Sequence, residues 1–243
     1  MKAAPCGILL ITTMTGIPLL PITAAAMGLR SFVALPVEQG GTVARFQLER
    51  NNKTDVDTAI INLAWGLSNR QTLLFGLPYR LNPAGDNQLG DLAVLYRHIV
   101  RQDDHDQGTL RTGLLGGAVF PGSSHRDAAL QAGFVTTHYR GRHEWDIDAL
   151  YQAGLDQRPD AARYDISHQY RLTPAQYPEW GIGSEWDLVT ELNGRWQEGN
   201  ETVHQATLGV QWIQQKWVLE GGVTRDLNGP QATRLLLSTR FHF

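Results

Sequence analysis

From residue 43 to the C-terminus, apolar and polar side chains alternate in runs of roughly ten residues. A β-strand sends successive side chains to opposite faces, so each run predicts a strand with one oily face and one wet face. The last run is the clearest. Thr233, Leu235, Leu237, Thr239, Phe241 and Phe243 share one face, and Arg234, Leu236, Ser238, Arg240 and His242 share the other. The same split recurs at 205–213, where Leu208 falls on the oily face and Thr207 on the wet one. It recurs again at 216–226, 187–196, 164–172, 145–153, 91–98 and 71–80. Segments 43–49, 59–67 and 110–120 fit less cleanly, and 129–140 is ambiguous because Phe134 and Tyr139 have opposite parity.

The count is about twelve strands, each near the length that crosses a tilted bilayer path. Connectors are rich in turn formers, as in Pro121-Gly122-Ser123-Ser124, Glu198-Gly199-Asn200 and Asn228-Gly229-Pro230. A soluble sandwich and a membrane barrel both alternate. Three features favour an all-β transmembrane antiparallel up-and-down barrel. Opposite charges share the wet face of single strands, such as Glu191 and Arg195. Aromatics sit at the ends of oily faces: Trp145, Tyr164, Trp196, Trp212, Trp217 and Phe243. The chain also ends inside a strand on Phe243, which resembles the C-terminal signal for insertion of outer-membrane barrels.

The first 26 residues follow a different rule. Lys2 is the only charge before Arg30, and an apolar core, Gly7 to Ile17, precedes Pro18, Pro21 and the small residues Ala24-Ala25-Ala26. This layout predicts a signal peptide over 1–26 and a barrel domain over 27–243. Cys6 is the only cysteine and leaves with the signal, so neither a disulfide framework nor a thiolate metal site is expected. Losing Lys2 leaves 20 basic and 24 acidic residues, a net charge of −4. With no basic stripe, nucleic acid is not an expected partner.

Three segments carry a family likeness. Trp65-Gly66-Leu67-Ser68-Asn69-Arg70-Gln71-Thr72-Leu73-Leu74-Phe75-Gly76-Leu77-Pro78-Tyr79-Arg80 is followed by Leu89-Gly90-Asp91-Leu92, and later by Ala118-Val119-Phe120-Pro121-Gly122. They resemble the outer-membrane channel family named for the meta-pathway of phenol degradation. The second motif has Gln88 where the family has Gly, and the third lacks the family's Thr. The likeness covers residues 43–122. It implies a channel in the outer membrane of a Gram-negative bacterium, passing small aromatic or hydrophobic solutes and assembled by the barrel-assembly machinery.

No catalytic residue, cofactor or metal is expected. Asp103-Asp104-His105-Asp106 are too close in sequence to converge on one ion, and the histidines lack metal-site spacing. Ser167 and His168 point to opposite faces, and no Gly-x-Ser-x-Gly elbow occurs. A barrel enzyme acting on lipid, or a purely structural barrel, is the alternative. The expected lumen residues are Arg45, Arg80, Asp91, Arg97, Arg111, Asp146, Asp148, Asp165, Arg171, Asp187, Glu191, Arg195, Glu220, Arg234 and Arg240. Barrel closure would set a wall of Arg45, Arg80, Arg234 and Arg240 opposite a wall of Asp146, Asp148, Asp165, Asp187 and Glu191. Such walls either face each other across an open pore or pair across a filled interior.

Overall fold

The computed structural model describes residues 28–83, 88–106, 108–173 and 184–243. The expected signal peptide lies outside these residues. Twelve strands form one closed sheet: β1 (Thr42–Asn51), β2 (Val56–Ser68), β3 (Gln71–Asn82), β4 (Leu92–His105), β5 (Gly108–Phe120), β6 (Ala129–Arg140), β7 (His143–Gly154), β8 (Ala161–Arg171), β9 (Glu185–Gln197), β10 (Val203–Ile213), β11 (Trp217–Asp226) and β12 (Thr233–His242). Every strand pairs antiparallel with its sequence neighbours, and β1 pairs with β12 to close the barrel. Phe243 extends that seam by exchanging backbone hydrogen bonds with Thr42, at 3.0 and 2.9 Å. Closure removes the two free edges that an open sheet of these strands would present.

The alternation maps directly onto the two faces. In β10 the pattern runs buried at Gln205, Thr207, Gly209 and Gln211, and exposed at Ala206, Leu208 and Val210. The outer face is apolar around the sheet, with Phe46, Leu63, Leu114, Phe134, Ile147, Leu192, Leu208, Leu219 and Leu237 all exposed. Aromatic contacts such as Trp186–Trp212 and Trp212–Trp217, at 5.5 and 4.9 Å between ring centroids, lie near strand ends. The ambiguous segment becomes β6. Phe134 faces outward, and Tyr139 lies 5.7 Å beneath the Arg171 guanidinium.

One ladder is broken. β3 and β4 pair only from Gln71↔His98 to Gly76↔Ala93, and contact resumes at the single bridge Tyr79↔Leu89. Pro78 lies at the break and has no N–H to donate to a neighbouring strand.

Residues 28–37 enter the barrel rather than continue the sheet. Leu29, Ser31, Val33 and Ala34 are all buried. Ala34 sits among Leu95, Ile99, Leu115, Val135 and Leu150. Leu29 packs with Val189 and Leu236. It also occupies the notch left by the paired glycines Gly209 and Gly222, where a Cβ would stand 2.3 and 2.7 Å from Leu29 Cδ1.

Candidate functional site: the barrel lumen

The inserted segment divides the lumen, and its backbone is oriented by charge. Its amides donate toward one wall. Arg30 and Ser31 N–H reach Glu191 Oε1 at 3.1 and 3.4 Å, Phe32 N–H reaches Asp148 Oδ2 at 2.7 Å, and Ala34 N–H reaches Thr137 Oγ1 at 2.8 Å. Its carbonyls accept from the other wall. Arg45 Nη2 donates to Leu29 O at 2.6 Å, and Arg97 donates to Val33 O and, at 2.7 Å, to Leu35 O. An extended segment buried without sheet partners must satisfy its polar groups elsewhere. Here carboxylates and the Thr137 hydroxyl take N–H groups, and guanidiniums take C=O groups.

Thirteen of the fifteen expected lumen residues line the inner face within their strands; Arg80, although it shares the inward parity of Thr72 and Leu74, and Asp91 do not. Arg80 is exposed at the far end of β3, beyond the wall it was expected to share with Arg45. Asp91 precedes β4 and ties loops together. It pairs with Arg126 at 2.7 Å and Arg158 at 2.8 Å and accepts the Gly122 N–H at 3.0 Å. The β5–β6 and β7–β8 loops converge on that one carboxylate, which accounts for its place at the barrel's end rather than in the lumen.

The two walls neither stand apart nor meet. Arg45 Nε and Arg240 Nη2 converge on Glu220, at 2.8 and 3.2 Å. Arg234 spans Asp226 at 2.6 Å and Glu49 at 3.4 Å. On the acidic side Asp146 accepts from Thr137 and Gln169, while Asp165 pairs with Arg195 at 2.7 Å and Arg163 at 3.4 Å. Asp187 is buried on the inner face of β9. Arg171 pairs with Glu185 at 3.1 Å, and Arg111 with Asp104 at 3.1 Å. The inserted segment lies between the two walls, so the interior is plugged by a separate length of chain rather than closed by pairing of the walls.

Sequence reasoning also passed over Glu49, Arg163 and Asp226, all on the inner face by their strand parity. That parity was available. The inserted segment shows no alternation, and its only cue was a short apolar run, Phe32-Val33-Ala34-Leu35, with no strand rhythm.

Chemistry elsewhere is sparse. Asp103 and Asp104 form ion pairs with Arg101 and Arg111. Among the described residues, no group of three or more His, Cys, Asp or Glu could hold a metal ion. Ser167 is buried on the inner face, and His168 stacks on Trp145 outside, 4.3 Å between centroids.

No protein-family model and no curated protein matches the sequence significantly. Solved structures do match. An outer membrane channel from Pseudomonas putida F1 aligns at 17% identity and a TM-score of 0.52, over 87% of this chain and 98% of its own. The NanC porin aligns at 9% identity and a TM-score of 0.53, over 82% and 98%. The KdgM porin, solved with a disordered oligogalacturonate, aligns at 10% identity and a TM-score of 0.51, over 83% and 99%. Identities this low establish a shared architecture: the chain has the twelve-stranded barrel fold of outer-membrane porins and channels.

Proposed function

We propose that the chain is an outer-membrane channel of a Gram-negative bacterium that passes small aromatic or hydrophobic solutes passively, with residues 28–37 as a plug. One observation carries this reading. The lumen is occupied by a separate length of chain held by side-chain-to-backbone hydrogen bonds, not closed by opposing walls packed against each other. Withdrawing that segment leaves a lumen lined by polar and ionisable side chains and breaks no pairing between strands. The signal-like N-terminus, the apolar outer band and the Phe243 terminus support an outer-membrane address and assembly by the barrel-assembly machinery. The family likeness over residues 43–122 supports the solute class. No catalytic step belongs to this reading.

The test is conductance in planar bilayers of refolded barrel with and without residues 28–37. The shortened barrel should conduct severalfold better than the full one while retaining its β-structure. Equal conductance in the two would overturn the plug, and no conductance in either would overturn the channel.

A further inference from the structure

Between the plug and strands β1–β4 the lumen keeps a cavity of about 300 Å³. Its walls are of two kinds. One is apolar, built from Ile60, Leu74 and Leu95 of the barrel and Phe32 of the plug. The other is charged, and the charges are lopsided: Arg30, Arg45, Arg163, Arg195 and Arg240 border the cavity, with Glu49 as the lone carboxylate among the described lining residues.

The carboxylates that balance these arginines stand behind them. Asp148, Asp165 and Glu220 have side chains 0% exposed, whereas Arg163 and Arg195 keep 24% and 28% of theirs exposed. Asp165 is shared by both of those arginines. Arg163 Nη2 is enclosed, makes no hydrogen bond, and lies 3.7 Å from Asp148 Oδ1. The Arg163 guanidinium sits 4.1 Å from the centroid of the Phe32 ring, so the cationic and apolar walls meet at that pair. A solute in the cavity meets guanidinium edges and apolar surface. The compensating negative charge of Asp148, Asp165 and Glu220 is out of its reach, and Glu49, the one carboxylate at the cavity, is held by Arg30 and Arg234 at 3.4 Å each.

We infer that this cavity is a binding site for a small organic anion, an apolar or aromatic body carrying one carboxylate. The volume is at the lower end of small-molecule pockets and suits a single-ring acid. The carboxylate meets the exposed parts of the Arg163 and Arg195 guanidiniums. Arg195 already gives Nη1 to Tyr164 O and Gly194 O and Nη2 to Asp165, so Arg163 is the side chain whose fork can turn to match a carboxylate in two parallel hydrogen bonds. The ring lies against Leu74, Leu95 and Ile60. The site rests on the channel reading, which brings solute to the lumen, and it sharpens that reading from hydrophobic solutes to acidic ones.

Calorimetric titration of the refolded full barrel in detergent micelles tests the inference with three probes of one shape: benzoate, benzyl alcohol and benzylammonium. Benzoate should bind saturably and at least about tenfold more tightly than the other two, as loss of a charge-assisted pair implies. Arg163→Gln should bring benzoate down to the level of benzyl alcohol and leave benzyl alcohol unchanged. Arg163→Lys, which keeps the charge and loses the fork, should fall between. Discrimination by the unaltered barrel needs no variant, so a misfolded substitution leaves the test intact. Benzoate binding no tighter than benzyl alcohol overturns the site, as does full discrimination in both Arg163→Gln and Arg195→Gln. Vesicle entry of the same probes separates the two readings. Binding without entry keeps the site and overturns the channel. Entry without discrimination in binding keeps the channel and overturns the site.

Discussion

Leu208 and Thr207 are adjacent in β10 and meet opposite surroundings. Leu208 is 57% exposed on the outer face and Thr207 is 3% exposed on the inner one. In a bilayer, Leu208→Arg sets a charge against lipid, at a cost of about 2–4 kcal/mol near the midplane. The wet-face expectation for Thr207 would let a charge in at little cost. The structure corrects it: the Thr207 hydroxyl is bonded to Asn193 and Thr224, both at 2.8 Å, within a filled layer. Thr207→Arg therefore has no room, and Thr207→Val strands two buried polar partners, costing about 1–3 kcal/mol. Urea unfolding in lipid vesicles should show all three variants less stable than the parent, with an unaffected Thr207→Arg marking the layer as hydrated. Parity told which face each residue takes. It carried no information on whether that face is wet or packed, because polar side chains alternate in the same way in both cases.

At the scale of elements, the strands were legible because each obeys a local period of two. The plug was not, because its partners are distant: Glu191, Asp148, Thr137, Arg45 and Arg97 come from five strands. Its anchoring also depends on absences, the missing side chains of Gly209 and Gly222 that admit Leu29. Leu29→Asp places a carboxylate in that apolar notch, on a segment already close to Glu191. Burying an unpaired charge costs more than the notch contact returns, so the plug should leave the lumen while the barrel wall stays intact. Bilayer conductance should rise, and a protease added in detergent should clip the chain before β1 faster than in the parent. A conductance unchanged from the parent would show that Leu29 does not hold the segment in place. The opposite terminus makes a separate prediction. Phe243 closes the β1–β12 seam by backbone bonds to Thr42 and stands 74% exposed outside. Deleting it should lower barrel yield in the outer membrane, measured by the fraction of heat-modifiable protein on gels. Undiminished yield would remove Phe243 from the assembly signal.

For the whole molecule, the question is what the ring of inner charges does. The sequence placed arginines on the first and last strands and carboxylates midway round, and closure through β1–β12 brings Arg45, Arg234 and Arg240 together as that order implies. Parity sets Glu220, Glu49 and Asp226 on the same inner face, but strand order does not say which arginine each one pairs with, because pairing between neighbours depends on register. Those pairs decide the effect of reversing the wall. Arg234→Glu with Arg240→Glu would set two new carboxylates beside Glu49, Asp226 and Glu220, with Arg45 still serving Glu220. Removing one partner of a buried pair costs about 3–5 kcal/mol, since the other charge stays buried alone. The exposed pairs of Arg50 with Asp55 and Asp57 give the control, because surface pairs are worth about 0–1 kcal/mol. Arg50→Glu should barely move thermal unfolding in vesicles. The double reversal should lower it strongly and loosen the plug, because Arg45 is then drawn away from Leu29 O by the added negative charge around it. A double variant with parental stability and only a shifted reversal potential would mean that these arginines are hydrated and that the wall acts as a pore lining rather than as the frame that holds the plug.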